Sequence, residues 1–307
     1  MRAILKDIPL GNKRFEIGLT LREAWFLNGT LFNSEVWCAY MKSDLQPLQI
    51  IDNKIMRLIL GAHKSVPTEL LYLETGTIPI INVITVRRLC YLQNILKRHK
   101  EEVIRRVYIA QKKNPIKGDW VQMIEDDMKN LQINVSDANI ADMSEYEFKK
   151  LIKNQIRQHT FTELLNSQLK HKKGSDIKYT NLCEPQGYLT DQMFNNKLCS
   201  LLFNLRCNTV SNIKDNFHRL YNDDLNCPIC KVEVDTQQHM LSCSILLNNL
   251  DEAQKKLHET TCYEDIYSNT QNQFKITTLF HTLLKIRQKM LDYPAYQGIN
   301  TGPLVGK

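Results

Sequence analysis

Residues 144–174, SEYEFKKLIKNQIRQHTFTELLNSQLKHKKG, carry the longest helical pattern in the chain. Ser144 and Glu147 have the spacing of a capping box, in which two side chains satisfy free backbone N–H groups at a helix start. Apolar residues then recur at three- and four-residue steps, as on the buried face of a helix. The stretch predicts a helix that runs to about Leu169 and is stopped by Gly174.

The same signals recur on both sides of this stretch. Thr20 and Glu23 have capping-box spacing, and the apolar stripe that follows, which includes Trp25 and Phe32, predicts a core-facing helix. A further helix is expected to start after Ser43 or Asp44 and to stop at Gly61, and others cover residues 190–205 and 274–290. No strand longer than a few residues is expected, so the predicted fold class is all-α.

The predicted organisation has at least two bodies joined by a long basic helix. The expected segments are a helical bundle over 1–132, a linker and basic helix over 133–175, a helical region with a Cys/His cluster over 176–250, and a helix with a frayed tail over 251–307.

Composition places the chain among ordinary globular proteins. Of its 307 residues, 43% are hydrophobic and 24% are charged. No run approaches the roughly 18 apolar residues that a membrane span needs, and the first ten residues are too polar for a signal peptide. We therefore expect an intracellular protein, in the nucleus or cytoplasm, with no membrane partner.

The net charge of +7 is unevenly placed. Residues 87–117 hold ten Lys and Arg against two acids, and residues 149–173 hold seven against one. Between them, residues 118–148 hold one Lys against eight acids. Two basic blocks around an acidic one indicate polyanion binding, and solvated helix faces are the alternative explanation.

Three of the nine cysteines form a metal-binding pattern with one histidine. Cys227 and Cys230 are separated by two residues, and His239 and Cys243 lie four residues apart, on one face of a helix that Thr236 would cap. This Cys3His set predicts one structural Zn²⁺. Four protein ligands leave no open position, so the zinc is not expected to be catalytic. Between the ligands, the alternation over residues 231–235 predicts a short strand.

The remaining cysteines are scattered and are expected to be structural thiols; they are Cys38, Cys90, Cys183, Cys199, Cys207 and Cys262. Residues 221–224, YNDD, match the Tyr-x-Asp-Asp pattern of polymerases. The first zinc ligand follows almost at once, however, which favours a loop over a catalytic pair at Asp223 and Asp224. No phosphate loop, nucleophile elbow or His-Glu-x-x-His motif is present, so no catalytic residue is assigned.

Several separate stretches, in order, resemble the region downstream of the polymerase palm in non-LTR (LINE-type) retrotransposon reverse transcriptases. They are IGLTLREAWFLNGTLFNSEVW (17–37), LLYLETGTIPI (70–80), RRLCYLQNILKR (87–98), VYIAQKKNPIKGDW (107–120) and the CPIC, His, Cys cluster. The resemblance covers roughly residues 15–245. It implies a helical thumb, a connector and a zinc knuckle that hold RNA or DNA.

The resemblance also implies that the chain is catalytically incomplete, because the palm and its carboxylates would lie upstream of Met1. It supports the four zinc ligands and a basic nucleic-acid-binding region. The candidates in that region are Arg87, Arg88, Lys97, Arg98, Lys112, Lys113 and Lys117. Trp120 beside them would either stack on a base or pack against its own helix. A partner could be the remainder of a reverse transcriptase, and the oligomeric state is left open.

Two other functions remain open. The helices could form a surface that binds another protein and not nucleic acid, with zinc serving only to stabilise the fold. A complete enzyme that relies on Asp223 and Asp224 is the least favoured.

Overall fold

The structure is a computed structural model that describes residues 13–37, 42–171, 173–179, 181–220 and 224–292. Within these ranges the chain is all-α, as predicted, and its one β feature is a single antiparallel bridge between Asn226 and Val234. Cys38, residues 221–223 of the YNDD motif, Lys172 and the expected tail after residue 292 lie outside the described residues.

Helices of widely different lengths make up most of the described chain. They are α1 (Lys13–Leu21), α2 (Lys42–Leu60), α3 (Thr68–Thr75), α4 (Ile80–Lys97), α5 (Val103–Lys113), α6 (Trp120–Asn130), α7 (Asp137–Asp142), α8 (Glu145–Gln168), α9 (Gly187–Thr190), α10 (Asn196–Arg206), α11 (Gln237–Ser242), α12 (Ser244–Leu247), α13 (Glu252–Glu259) and α14 (Thr270–Asp292). Short 3₁₀ turns cover Ser34–Val36, Lys214–Leu220 and Tyr263–Tyr267.

Helix α8 forms as the sequence predicts. The Ser144 hydroxyl accepts a hydrogen bond from the Glu147 N–H, and the Glu147 carboxylate accepts one from the Ser144 N–H at 3.1 Å. The helix ends at Gln168, one residue before the expected end, where the Gln168 side chain donates to the carbonyl of Gly174 at 2.6 Å. Gly174 has a φ of +74°, the left-handed conformation that glycine adopts without strain.

The N-terminal helix differs from its prediction. Thr20 does not cap a helix, because α1 already runs through it and its hydroxyl donates to the carbonyl of Glu16 at 2.9 Å. The chain continues as a π-helical segment, Arg22–Leu27, and a short α-helical turn, Asn28–Thr30. Trp25 and Phe32, expected in the core, are 60% and 73% exposed. The wider π-helical turn shifts the apolar register, so a stripe counted at 3.6 residues per turn no longer faces one side.

The end of α2 matches its prediction. Gly61 follows the last helical residue, Leu60, with a φ of +61°. A Cβ at Gly61 would collide with the side chain of Ser200 on α10. The glycine therefore serves both the left-handed turn and the close approach of the two helices.

The hydrophobic core does not follow the predicted boundaries between bodies. The largest cluster of buried apolar side chains joins Met56 and Tyr72 from the predicted bundle, Phe161 from the predicted linker helix, and Phe203 and Phe280 from the C-terminal half. A second cluster packs α4 to α7 against the first half of α8. Helix α8 therefore belongs to both clusters, because it buries apolar residues along its whole length.

A buried polar network ties the two halves together. Arg206 on α10 donates to the carboxylate of Glu74 on α3 at 3.0 Å, and the hydroxyl of Tyr188 donates to the same carboxylate at 2.7 Å. Glu74 and Arg206 are 0% and 2% exposed. Burial of unpaired charges is costly, so this pairing holds the two halves in one arrangement.

In the described part of the chain, no single helix is long and apolar enough to cross a membrane. Helices α3 and α4 satisfy the length and composition only when taken together, and the two are bent by 58°.

Candidate metal centre and cationic face

The structure brings Cys227, Cys230, His239 and Cys243 together as predicted. Their ligand atoms all lie within 4.8 Å of one another, and the Cys230 sulfur lies 3.3 Å from Nε2 of His239. Cys227, His239 and Cys243 are buried. A tetrahedral ion with metal–sulfur bonds of about 2.3 Å would separate its sulfurs by about 3.8 Å. The cluster therefore fits one four-coordinate metal ion.

Local backbone structure explains how the four side chains converge. The N–H of Lys231 donates to the carbonyl of Cys227 at 2.9 Å, which closes the turn between the first two cysteines. Lys231 itself has a φ of +62°. The hydroxyl of Thr236 accepts from the His239 N–H at 2.9 Å and starts α11, as the sequence predicts. Cys243 ends that helix one turn after His239.

A residue that the sequence analysis missed orients the histidine ligand. The Glu233 carboxylate lies 2.9 Å from Nδ1 of His239, which leaves Nε2 free to face the three sulfurs. A carboxylate on the outer nitrogen fixes the tautomer and orientation of a metal-binding histidine. Its position six residues before the histidine carries no recognised spacing signal, so only the folded hairpin reveals the pair.

The three cysteine thiols of the cluster differ in how readily they ionise. Burial raises the pKa of Cys243 to about 11 and also raises that of Cys227. Burial opposes ionisation of Cys230 too, but the backbone N–H groups of Glu233 and Val232 outweigh it and lower its pKa to about 7. Adjacent buried thiols resist ionising together unless a positive charge lies between them. A bound metal ion supplies that charge.

The hairpin does not show the alternating burial of a strand, because Lys231 and Glu233 are exposed like the neighbouring valines. Val232 and Val234 are 79% and 45% exposed, whereas Asp235 is fully buried. Asp235 makes a two-point ion pair with Arg287 on α14, with both N–O distances at 2.6 Å. The inner face of the hairpin thus contacts a histidine and an arginine instead of an apolar core. This ion pair anchors the metal cluster to the C-terminal helix.

The other described cysteines do not contribute to the metal cluster. Cys207 is buried, and Cys90, Cys183 and Cys199 are half-buried, as expected for structural thiols. Cys262 is exposed, which corrects the expectation for that residue. Asp224, the last residue of the YNDD motif, is exposed and pairs with Lys214 at 2.8 Å.

Two of the predicted nucleic-acid contacts have structural roles instead. Arg88 is 1% exposed and pairs with Asp127 at 2.6 Å, so a phosphate cannot reach it. Arg87 is half-buried and donates to the carbonyl of Leu31 at 2.6 Å and to Asn28 at 2.8 Å. The apolar periodicity of α4 does not predict that these arginines are buried. Other elements cover this helix on several faces, and both arginines lie on covered faces.

Trp120 is packed and does not offer a stacking surface. It is 9% exposed, its indole N–H donates to the carbonyl of Glu35 at 2.8 Å, and its ring meets Tyr91 edge-on at 5.9 Å. The packing alternative is correct, although the contacts come from other elements and not from its own helix.

The remaining predicted cations lie at the surface. Lys97, Lys113 and Lys117 are exposed. Arg98 is also exposed and pairs with Glu102, and Lys112 pairs with Asp137 at 2.7 Å.

Arg106, which was not among the candidates, is exposed on α5 seven residues before Lys113, so both lie on one helix face. We call Arg106, Lys113 and Lys117 the cationic face. None of the three has a salt-bridge partner among the residues that the structure describes.

Comparison with known proteins identifies no relative: no family model, no curated protein and no solved structure matches this chain.

Proposed function

We propose that the chain binds one structural zinc ion and holds RNA or DNA without base specificity, as the non-catalytic C-terminal region of a non-LTR retrotransposon reverse transcriptase. The observation that carries the zinc assignment is the convergence of three thiols and one imidazole within 4.8 Å. This donor set is typical of structural zinc sites. Cys227, Cys230, His239 and Cys243 would hold the ion, which would fold the hairpin and leave no position for a substrate.

The cationic face supports the nucleic-acid part of the proposal. Its guanidinium and ammonium groups are exposed and without salt-bridge partners in the described chain. Such groups are free to replace the counterions condensed on a phosphate backbone, which gives affinity without sequence preference. Lys97 and Arg98, at the end of the preceding helix, add positive charge to the same part of the chain.

One observation favours a second function. Val103 and Val107 on α5 and Ile116 beyond it are 75%, 50% and 68% exposed. Val103 lies three residues before Arg106, so exposed apolar and cationic side chains are neighbours on this part of α5. A protein-interaction module whose fold is held by zinc would bind another protein through the exposed apolar and cationic side chains of α5.

Salt dependence of binding separates the two functions. The variant Arg106→Gln/Lys113→Gln/Lys117→Gln removes the cationic face, and Lys178→Gln/Lys256→Gln/Lys289→Gln removes three exposed lysines elsewhere as a matched control. Affinity for a labelled single strand is measured at several salt concentrations. The quantity compared is the slope of log affinity against log salt concentration, called the salt slope. The proposal predicts that the first variant reduces the magnitude of this slope by up to about 2, at roughly 0.7 per phosphate contact, and that the control changes it less. An unchanged slope in the first variant would favour the protein-interaction module.

A further inference from the structure

Two large aromatic side chains near the N-terminus are exposed although their neighbours fill the core. Trp25 is 60% and Phe32 is 73% exposed, whereas Leu27 and Leu31 of the same segment are 5% and 0% exposed and belong to a cluster of buried apolar residues. The core-facing side of the segment is therefore already occupied. Two exposed aromatic rings on one short segment form an apolar surface that the fold itself does not use.

The surface between the two rings is open. Gly29 lies four residues after Trp25, about one helical turn, and three residues before Phe32. A Cβ at Gly29 would meet no atom within 4 Å outside the adjacent residues and the helix backbone. The described chain therefore leaves room for a flat ring beside Trp25.

Hydrogen bonds from another helix fix the backbone of this segment. Arg87 on α4 donates to the carbonyl of Leu31 at 2.6 Å and to the side chain of Asn28 at 2.8 Å. Leu31 immediately precedes Phe32, and Asn28 immediately precedes Gly29. A surface that is ordered before binding loses less conformational entropy when a ligand binds. The structural role of Arg87 is thus to hold the backbone between the two rings.

The cationic face begins next to this surface. The indole N–H of Trp120 donates to the carbonyl of Glu35 at 2.8 Å, which places the start of α6 against the turn that follows Phe32. Lys117 of the cationic face lies three residues before Trp120 and is exposed. Apolar rings and an exposed cation are therefore neighbours on the surface of the protein.

Charge complementarity favours a single strand as the occupant of the two rings. Glu23, the exposed acid nearest to Trp25 in the sequence, is two residues away, a spacing at which helical side chains do not face each other. Glu23 therefore does not share the face of the Trp25 ring. A single strand offers phosphates to Lys117 and unpaired bases to the rings, whereas a duplex keeps its bases stacked within the helix.

We infer that Trp25 and Phe32 form a stacking surface for unpaired bases of a single-stranded nucleic acid whose backbone continues onto Lys117 and the cationic face. The inference rests on the proposed nucleic-acid function and deepens it, because it names single strands over duplexes as the ligand. It also assigns to other residues the stacking role that the packed Trp120 cannot fill. Stacking tolerates any sequence because every base has an aromatic face, in keeping with binding without base specificity.

The test separates aromatic stacking from general apolar contact. Trp25→Leu/Phe32→Leu keeps two apolar side chains but removes both rings, and Trp25→Phe/Phe32→Tyr keeps two rings as the matched control. Anisotropy titrations of the zinc-loaded full chain use labelled oligo-dT and a blunt duplex at several salt concentrations. Circular dichroism checks that the helicity of the variants equals that of the parent.

We expect the leucine variant to weaken oligo-dT binding by about 10-fold or more, the effect of losing base stacking on two rings, and the control to weaken it less. Neither variant removes a charge, so the salt slope should stay that of the parent, unlike the slope of Arg106→Gln/Lys113→Gln/Lys117→Gln. Duplex affinity should be the same in the leucine variant and the control.

Tryptophan fluorescence gives a readout that does not depend on loss of affinity. The chain has three tryptophans, of which Trp120 is only 9% exposed. A base stacked on the Trp25 indole quenches its emission, so oligo-dT should quench the parent and quench Trp25→Phe much less, although that variant still binds. Equal quenching of the parent and Trp25→Phe would contradict the inference.

Two binding results would overturn the inference while leaving the proposed function intact. One is an oligo-dT affinity of the leucine variant equal to that of the control, which would favour a protein as the partner of the rings. The other is an equal loss of affinity for oligo-dT and duplex. Absence of binding by the parent protein would instead contradict the proposed function itself.

Discussion

Loss of the ion pair between Asp235 and Arg287 should destabilise the protein far more than loss of a surface pair. Both side chains are buried, at 0% and 3% exposure, and share two hydrogen bonds of 2.6 Å. At that distance and an effective dielectric constant of about 20, the gross attraction is about 6 kcal/mol, which desolvation partly offsets. Removal of one partner from such a pair costs about 3–5 kcal/mol, since the other charge remains buried.

The variant Arg287→Met should therefore lower the free energy of unfolding by about 3–5 kcal/mol. Arg98→Met is the control, because Arg98 pairs with Glu102 at the surface, where both are about half exposed; it should change the free energy of unfolding far less, since water screens an exposed pair. Urea unfolding of the zinc-loaded proteins, followed by far-UV circular dichroism, measures both. A loss for Arg287→Met no larger than that of the control would refute the anchoring role of the ion pair.

Other predictions concern the metal cluster and two glycines. Glu233→Gln should weaken zinc affinity about 10- to 100-fold, measured by competition with a chelating dye, because the His239 ring loses its orienting carboxylate; unchanged affinity would contradict that role. Gly61→Ala should lower the melting temperature, since Gly61 has a positive φ and a Cβ would meet the Ser200 side chain. Gly29→Ala has open space around the new methyl group and should be neutral or stabilise by up to about 1 kcal/mol. Equal effects of the two alanine substitutions would contradict the close packing at Gly61.

The features predictable from sequence were those set by local chemistry. The capping box at Ser144, the left-handed glycine after α2 and the Cys3His cluster each depend on a few neighbouring residues, and all three are present. The all-α class follows from the same local signals.

The features that could not be predicted depend on contacts between distant residues. Asp235 pairs with a residue 52 positions away, and Arg88 with one 39 positions away. No periodicity encodes such pairs, so Arg88 was predicted to contact nucleic acid although it is buried. The π-helical segment at Arg22–Leu27 likewise depends on packing, since Arg22 is buried and pairs with Asp52 at 2.6 Å.

Metal content measured on the purified chain tests the central claim most directly. Protein prepared without chelator should contain one zinc ion per chain by mass spectrometry. Cys230→Ser should lose most of it, while the cluster that packs α4 to α7 against the first half of α8 stays protected from hydrogen exchange. The loosened region should include the hairpin and α11. Absence of zinc from the parent protein, or equal zinc content in the variant, would contradict the account.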